Sequence, residues 1–302
     1  AAALAALSSG AAAVVLAGGF ISYVMADMRD AYIRSFVGHI QIHRLGYSAG
    51  GLLRPYDFML KNTADVAAAV RAMRHVRAAA ASLNFYGLLS SGENTFPVMG
   101  VGVEPGRERG IAGDAKMDGG AGLDDSDGAE ITVGRGVAKT MRVKPGDRLV
   151  LLANGKSGAL SGTDVTVKGV FYTASKAYDD YTILLPLKTA QKLLRVDSAH
   201  TIRVLLDDTG ATDAVMKAII SAGADYGFEI EVSPWYKIAE FVTKTGSFYD
   251  RLFLGLKAAI VLMVILGIFN TLNMSVMERI GEIGTMMALG TARNEVLKML
   301  TN

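Results

Sequence analysis

The chain has 302 residues, 51% of them hydrophobic, a formal net charge of +2 and no cysteine. Disulfide staples, thiolate metal sites and a cysteine nucleophile are therefore excluded together. A near-neutral balance with scattered Lys and Arg lacks the basic stripe of a nucleic-acid binder, so no nucleic-acid partner is expected.

The apolar excess sits at the two ends. Ala1 to Ala26 carries no charge, too long a run for the apolar core of a secretory signal, and residues 1–27 are read as a first membrane-spanning helix. Its Gly10, Gly18 and Gly19 among Ala, Val and Leu suit close approach of a second helix backbone. Phe36 to Arg44 alternates apolar and polar residues, the pattern of a half-buried strand, with His39, Gln41 and His43 on one face. No carboxylate or thiol accompanies that pair of histidines, so a plain polar face is read rather than a metal site.

Asp65 to Val76 has the stripe of an amphipathic helix, and Val76–Ser90 and Thr95–Val103 read as strands around a Ser91–Asn94 turn. Gly106 to Gly128, rich in Gly and Asp, reads as a long solvated loop; the Asp residues lack the ligand spacing of a calcium-binding loop. From Ile131 to Leu187, short strand-like runs are broken by Pro145-Gly146-Asp147, Asn154-Gly155 and Gly162, which predicts a β-rich subdomain. A helix over Pro186–Leu194, a strand over Thr201–Leu206, a helix over Thr212–Ala222 and a strand over Phe228–Val232 follow. The expected domain, residues 28–250, is thus an α+β core built from both ends of the loop, with the β-rich region of about 107–196 inserted between its halves.

Leu149 to Ser157 ends in Gly155-Lys156-Ser157, the close of a phosphate-binding loop, but Val150 stands where the leading Gly belongs. Leu89–Glu93 is likewise a hairpin turn rather than a nucleotide motif. No Gly-x-Ser-x-Gly elbow, dispersed histidines and no paired carboxylates leave an enzyme without a constellation, so no catalytic residue and no metal site are assigned. Ala258 to Met277 is again uncharged and about 20 residues long, enough to span, and 251–277 is read as the second spanning helix, with Asn270 and Asn273 inside it as interhelical hydrogen-bonding groups. Beyond it, Glu278, Arg279 and Glu282 form a charged edge and Ile280, Ile283, Met287 and Leu289 an apolar one. A short helix of that kind either inserts into a groove on a partner or lies on the membrane.

The residues Asn270–Arg279, Glu282-Ile283-Gly284 and Ala288–Arg293, with Gly38–His43, Val101–Pro105 and Val143–Asp147, resemble FtsX-like permeases, the family of the MacB-type efflux and Lol-type lipoprotein-releasing ABC transporters. The resemblance implies an inner-membrane permease subunit with four spanning helices, a periplasmic domain between the first two, and a coupling helix within 278–302 that docks on a separate ATPase, which binds ATP and Mg. It places ATPase coupling on Glu278, Arg279, Glu282, Ile283, Gly284, Met287, Ala288 and Gly290. It further implies a second permease copy or paralogue, membrane lipid and a periplasmic or outer-membrane acceptor as partners, and lipoprotein or other lipid-anchored cargo, with MacB-type efflux of drugs or peptides as the alternative. The last helices are absent, so the sequence is read as a fragment. Arg29, Arg34 and Arg44 balance Arg279, Arg293 and Lys298, so positive charge does not fix orientation. A membrane-anchored receptor without an ATPase is the reading from another class.

Overall fold

The computed structural model describes residues 2–51, 54–107, 116–125, 128–173 and 175–290. It divides into two compact units, Ala1–Met25 with Lys244–Asn302, and Ala26–Thr243.

Among the described residues the larger unit holds ten strands in one continuous sheet. Four of them, β1 (Ile40–Arg44), β2 (Val76–Ser90), β9 (Thr201–Leu206) and β10 (Ile230–Pro234), lie in the order β10-β1-β9-β2, all antiparallel. Helix α2 (Thr63–Arg71) joins β1 to β2 and α5 (Thr212–Asp225) joins β9 to β10, giving two βαβ halves interleaved in one layer. Both helices pack on the same sheet face. Ile40, Ile42, Ile202 and Val204 meet Val66 and Val70 of α2 and Val215 and Ile219 of α5 in one buried cluster. Ile40 and Ile42 point one way from β1 and His39 and His43 the other, as period two requires.

The second body is closed. The C-terminal half of β2 pairs with β3 (Thr95–Val103) on one edge and with β6 (Arg148–Asn154) on the other. From β3 the ladder runs through β8 (Thr182–Pro186), β5 (Glu130–Gly134) and β7 (Leu160–Tyr172) back to β6. Every strand in that ring has two neighbours, so a barrel without free edges results. Its interior is filled by Leu83, Leu89, Ile131, Leu151, Val167 and Ile183. Helix α3 (Arg135–Met141) follows β5, and α4 (Leu187–Leu194) buries Ala190, Leu193 and Leu194 in the same core. Gly87 is required where β2 meets β6, since a Cβ there would lie 2.5 Å from the Leu152 carbonyl oxygen.

Several expectations change. The β-rich region begins within β2, before residue 107, because that one strand serves both bodies. The strand read from Phe36 begins at Ile40; the chain first makes a π-helical turn, Ile33–Val37, ended by Gly38 at φ +68. A Cβ on Gly38 would reach 2.8 Å from the Val204 carbonyl oxygen, so the close approach of β9 sets that boundary. The Gly106–Gly128 loop contains a strand, β4 (Lys116–Gly120), paired with the end of β7 that β6 leaves uncovered. Its acids are tethers: Asp118 pairs with Arg135 at 2.7 Å, Asp124 with Lys168 at 2.6 Å, and Asp125 accepts from the Gly106 N–H at 2.9 Å. Residues 108–115 and 126–127 of that loop, Asp114 and Asp127 among them, lie outside the described residues.

One buried carboxylate organises the turn after β7. Asp179 accepts from the Thr173 N–H at 3.0 Å and its hydroxyl at 2.8 Å, and is 6% exposed. Asp179→Ala strands both donors, and a loss of about 2–3 kcal/mol is expected in the urea unfolding free energy; an unchanged midpoint would show that water replaces the carboxylate.

Candidate functional site

The smaller unit is helical. Helix α1 (Ala2–Tyr32) and helix α6 (Glu240–Glu278) each contain a segment long and apolar enough to cross a membrane, Ser8–Tyr32 at mean hydropathy 1.7 and Thr243–Glu278 at 2.6. Both helices exceed the spans read from sequence, 1–27 and 251–277. The charged residues that flank the apolar runs do not break a helix, since no proline or cap intervenes. Ala11, Val14, Gly18, Ile21 and Met25 form the partly covered stripe of α1, at alternating spacings of three and four. On α6 the corresponding stripe is Phe253, Ile260 and Gly267. Gly18 meets the Phe253 ring, where a Cβ would make ordinary contact at 3.5 Å. The sequence shows this seam in part, since Gly18 is among the small residues that suit close approach of a second helix, whereas its meeting with Phe253 is stated by no local pattern.

Asn270 and Asn273 sit three residues apart on α6 and are therefore neighbours on its surface. Both are exposed. The hydroxyl of Thr271 donates to the Gly267 carbonyl at 2.9 Å and so satisfies itself within the helix; the two amides make no such bond among the described residues. In hydrocarbon an amide of this kind demands a partner from another helix.

Glu278 closes α6. At Arg279 the backbone leaves helical geometry, with φ −98 and ψ 7, and a new helix, α7 (Ile280–Ala288), begins. Gly290, at φ +94, ends the segment. The structure thus gathers Glu278, Arg279 and Glu282 within about one turn, with Ile283, Gly284, Met287 and Ala288 on α7 itself. On this segment Ile280 is 60% exposed, Met287 49% and Leu289, at the C-cap, 83%, while Ile283 and Met286 are partly covered. Gly281, Gly284 and Ala288 leave the helix surface low between them. A nine-residue helix with exposed apolar residues and a charged start can lie in a groove on a partner or on the membrane surface. The remaining positions of the expected coupling region, 291–302, including Arg293 and Lys298, lie outside the described residues.

The histidines singled out in β1 serve the interior of the larger unit. His39 accepts from the Leu206 N–H at 3.0 Å through Nδ1, and its Nε2 is 3.0 Å from the Thr209 hydroxyl. His43 Nδ1 lies 3.2 Å from both the His200 carbonyl and the Thr201 hydroxyl. Tyr47 stacks on the His43 ring at 4.2 Å. Burial lowers the pKa of all three histidines, His39 and His200 to about 4. The His39 and His43 rings are occupied by protein hydrogen bonds, whereas among the described residues both His200 ring nitrogens are buried without a partner and no group of three His, Cys, Asp or Glu side chains converges.

Residues 1–222 match the family described as the MacB-like periplasmic core domain. An uncharacterized ABC transporter permease of Methanocaldococcus jannaschii, MJ1507, is 23% identical over 183 residues, which cover 58% of the chain and 43% of that protein. The chain therefore spans under half the length of that relative. The periplasmic region of MacB from Actinobacillus actinomycetemcomitans superposes with a TM-score of 0.51 at 15% identity, covering 70% of the chain and 95% of that structure, a likeness of fold. The extracellular domain of the noncanonic ABC-type transporter YknZ from Gram-positive bacteria gives 0.48 at 12% identity, over 64% of the chain and 98% of that structure.

Proposed function

The chain belongs to the MacB-like periplasmic core domain family, and on that premise we propose that it is the permease subunit of an ABC transporter that carries motion from a cytoplasmic ATPase to an extracytoplasmic domain. The observation that carries the reading is α7, an exposed amphipathic helix directly after an apolar helix of spanning length. ATP and Mg bind to the partner ATPase, which performs the hydrolysis; Glu278, Arg279 and Glu282 orient the contact, and Ile283, Met287 and the small residues Gly284 and Ala288 fill the groove, with Gly290 ending the helix. Asn270 and Asn273 bond to neighbouring spanning helices, including those of a second permease copy. The cargo is a lipid-anchored molecule such as a lipoprotein, passed to a periplasmic or outer-membrane acceptor. That choice rests on the second span, which carries no charge from Ala258 to Met277 and so lacks the ionisable side chains that mark a path for charged solutes.

Affinity purification of the chain from membranes in mild detergent tests the reading. An ATPase subunit carrying its own phosphate-binding loop is expected to co-purify, and to be lost on Met287→Asp. Recovery of the chain without any ATPase would favour a membrane-anchored receptor. A photo-crosslinker placed in the barrel separates the cargo classes, since lipoprotein adducts support the reading and drug or peptide adducts favour MacB-type efflux.

A further inference from the structure

We propose that the cavity between the start of β7 and helix α4 binds a small amphiphilic anion, with Lys192 and Arg195 holding its phosphate or carboxylate group. The cavity measures about 410 Å³, inside the range of small-molecule sites. Five polar side chains line it: Ser161 and Thr163 from β7, Thr189 and Lys192 from α4, and Arg195 at the helix end. The lining contains no Asp or Glu, so an occupant meets two positive charges and three hydroxyls.

None of these five side chains makes an ion pair or hydrogen bond to the protein among the described residues. The Ser161 hydroxyl oxygen is buried and without a hydrogen-bond partner, an arrangement that is unfavourable unless a bound group satisfies it. Lys and Arg at a helix C-terminus are ordinarily explained by the helix dipole. Here the Gln191 carbonyl of α4 is already bonded by the Val196 N–H at 3.0 Å and the Leu194 carbonyl by the Lys156 N–H at 3.2 Å, and both cationic residues line the cavity. Arg195 adopts a left-handed conformation at φ 55 and ψ 48. Leu160, 65% exposed and next to Ser161 on β7, adds an apolar surface to the lining that a bare inorganic ion does not use.

The site is separate from the coupling segment, so its failure and that of the transporter reading are distinguishable. The test is calorimetric titration of the full chain in phosphatidylcholine nanodiscs with two probes, dihexanoyl phosphatidate and inorganic phosphate. Saturable binding is expected, weakened at least tenfold by Lys192→Gln with Arg195→Gln, several-fold by Ser161→Ala, and not at all by Lys139→Gln on α3. Tighter binding of phosphatidate assigns a lipid headgroup as the source; equal binding assigns a free anion and removes the apolar surface from the site. No saturable binding of either probe, or unchanged affinity in a double variant whose urea midpoint matches the parent, overturns the proposal.

Discussion

Reversing the charges at the start of α7, with Glu278→Lys, Arg279→Glu and Glu282→Lys together, is expected to lower ATP hydrolysis stimulated by the permease at least tenfold. The basal rate of the isolated ATPase should not change. All three residues are exposed, none forms an ion pair among the described residues, and none contributes to a buried core, so the variant should insert and fold. Charges at the rim of an interface set register and exclude wrong geometries, and like-charge contact across it costs several kcal/mol. Reconstitution with the ATPase in vesicles separates the possibilities. Loss of stimulation with normal insertion supports a docking role, whereas full stimulation would remove these residues from the contact and leave α7 as a helix that lies on the membrane.

The second large effect is acid sensitivity of the extracytoplasmic unit. His39 and His200 are pushed down to about 4 by burial, and His43 is lowered for the same reason. A base whose folded pKa lies below its unfolded value of about 6.5 is neutral in the native state, while the unfolded chain takes up its proton. Stability is therefore complete above pH 6.5 and falls as the pH drops from there towards 4. At pH 5 the linkage amounts to about 1–2 kcal/mol for each of His39 and His200 after allowance for partial hydration. Glu231, opposite His43 in the β1–β10 register, opposes the loss at His43 alone. The urea midpoint should be clearly lower at pH 5.0 than at pH 7.5, and His39→Gln should flatten that difference while lowering stability at pH 7.5. Equal midpoints at the two pH values would mean that water reaches the rings.

The two apolar helices of spanning length were legible because their signal is compositional: a run without charge needs no partner to be recognised. The interleaved βαβ halves were legible for a related reason, since Thr201–Leu206 and the α5 stripe of Val215 and Ile219 declare their periods locally. Barrel closure was not. It depends on β2 exchanging β9 for β6 along one edge between Ser82 and Gly87, a choice between distant partners that no local pattern states. β4 was invisible because its pairing uses main-chain groups of a Gly- and Asp-rich segment. The burial of His43 and His200 follows from Tyr47 and Tyr56, which lie in the segment that crosses the sheet after β1. The composition of the segment after Glu278 was plain in the sequence, whereas the helix break at Arg279 that separates it from α6 came only from the backbone.

Because the chain has no cysteine, its sidedness can be read with single introduced thiols. Glu93→Cys, in the exposed β2–β3 turn, and Glu282→Cys, on α7, are placed separately in right-side-out membrane vesicles and treated with a membrane-impermeant maleimide. An extracytoplasmic barrel with a cytoplasmic coupling helix requires Glu93→Cys to react in sealed vesicles and Glu282→Cys only after permeabilisation. Reaction of both thiols in sealed vesicles would place barrel and α7 on one side and end the coupling account.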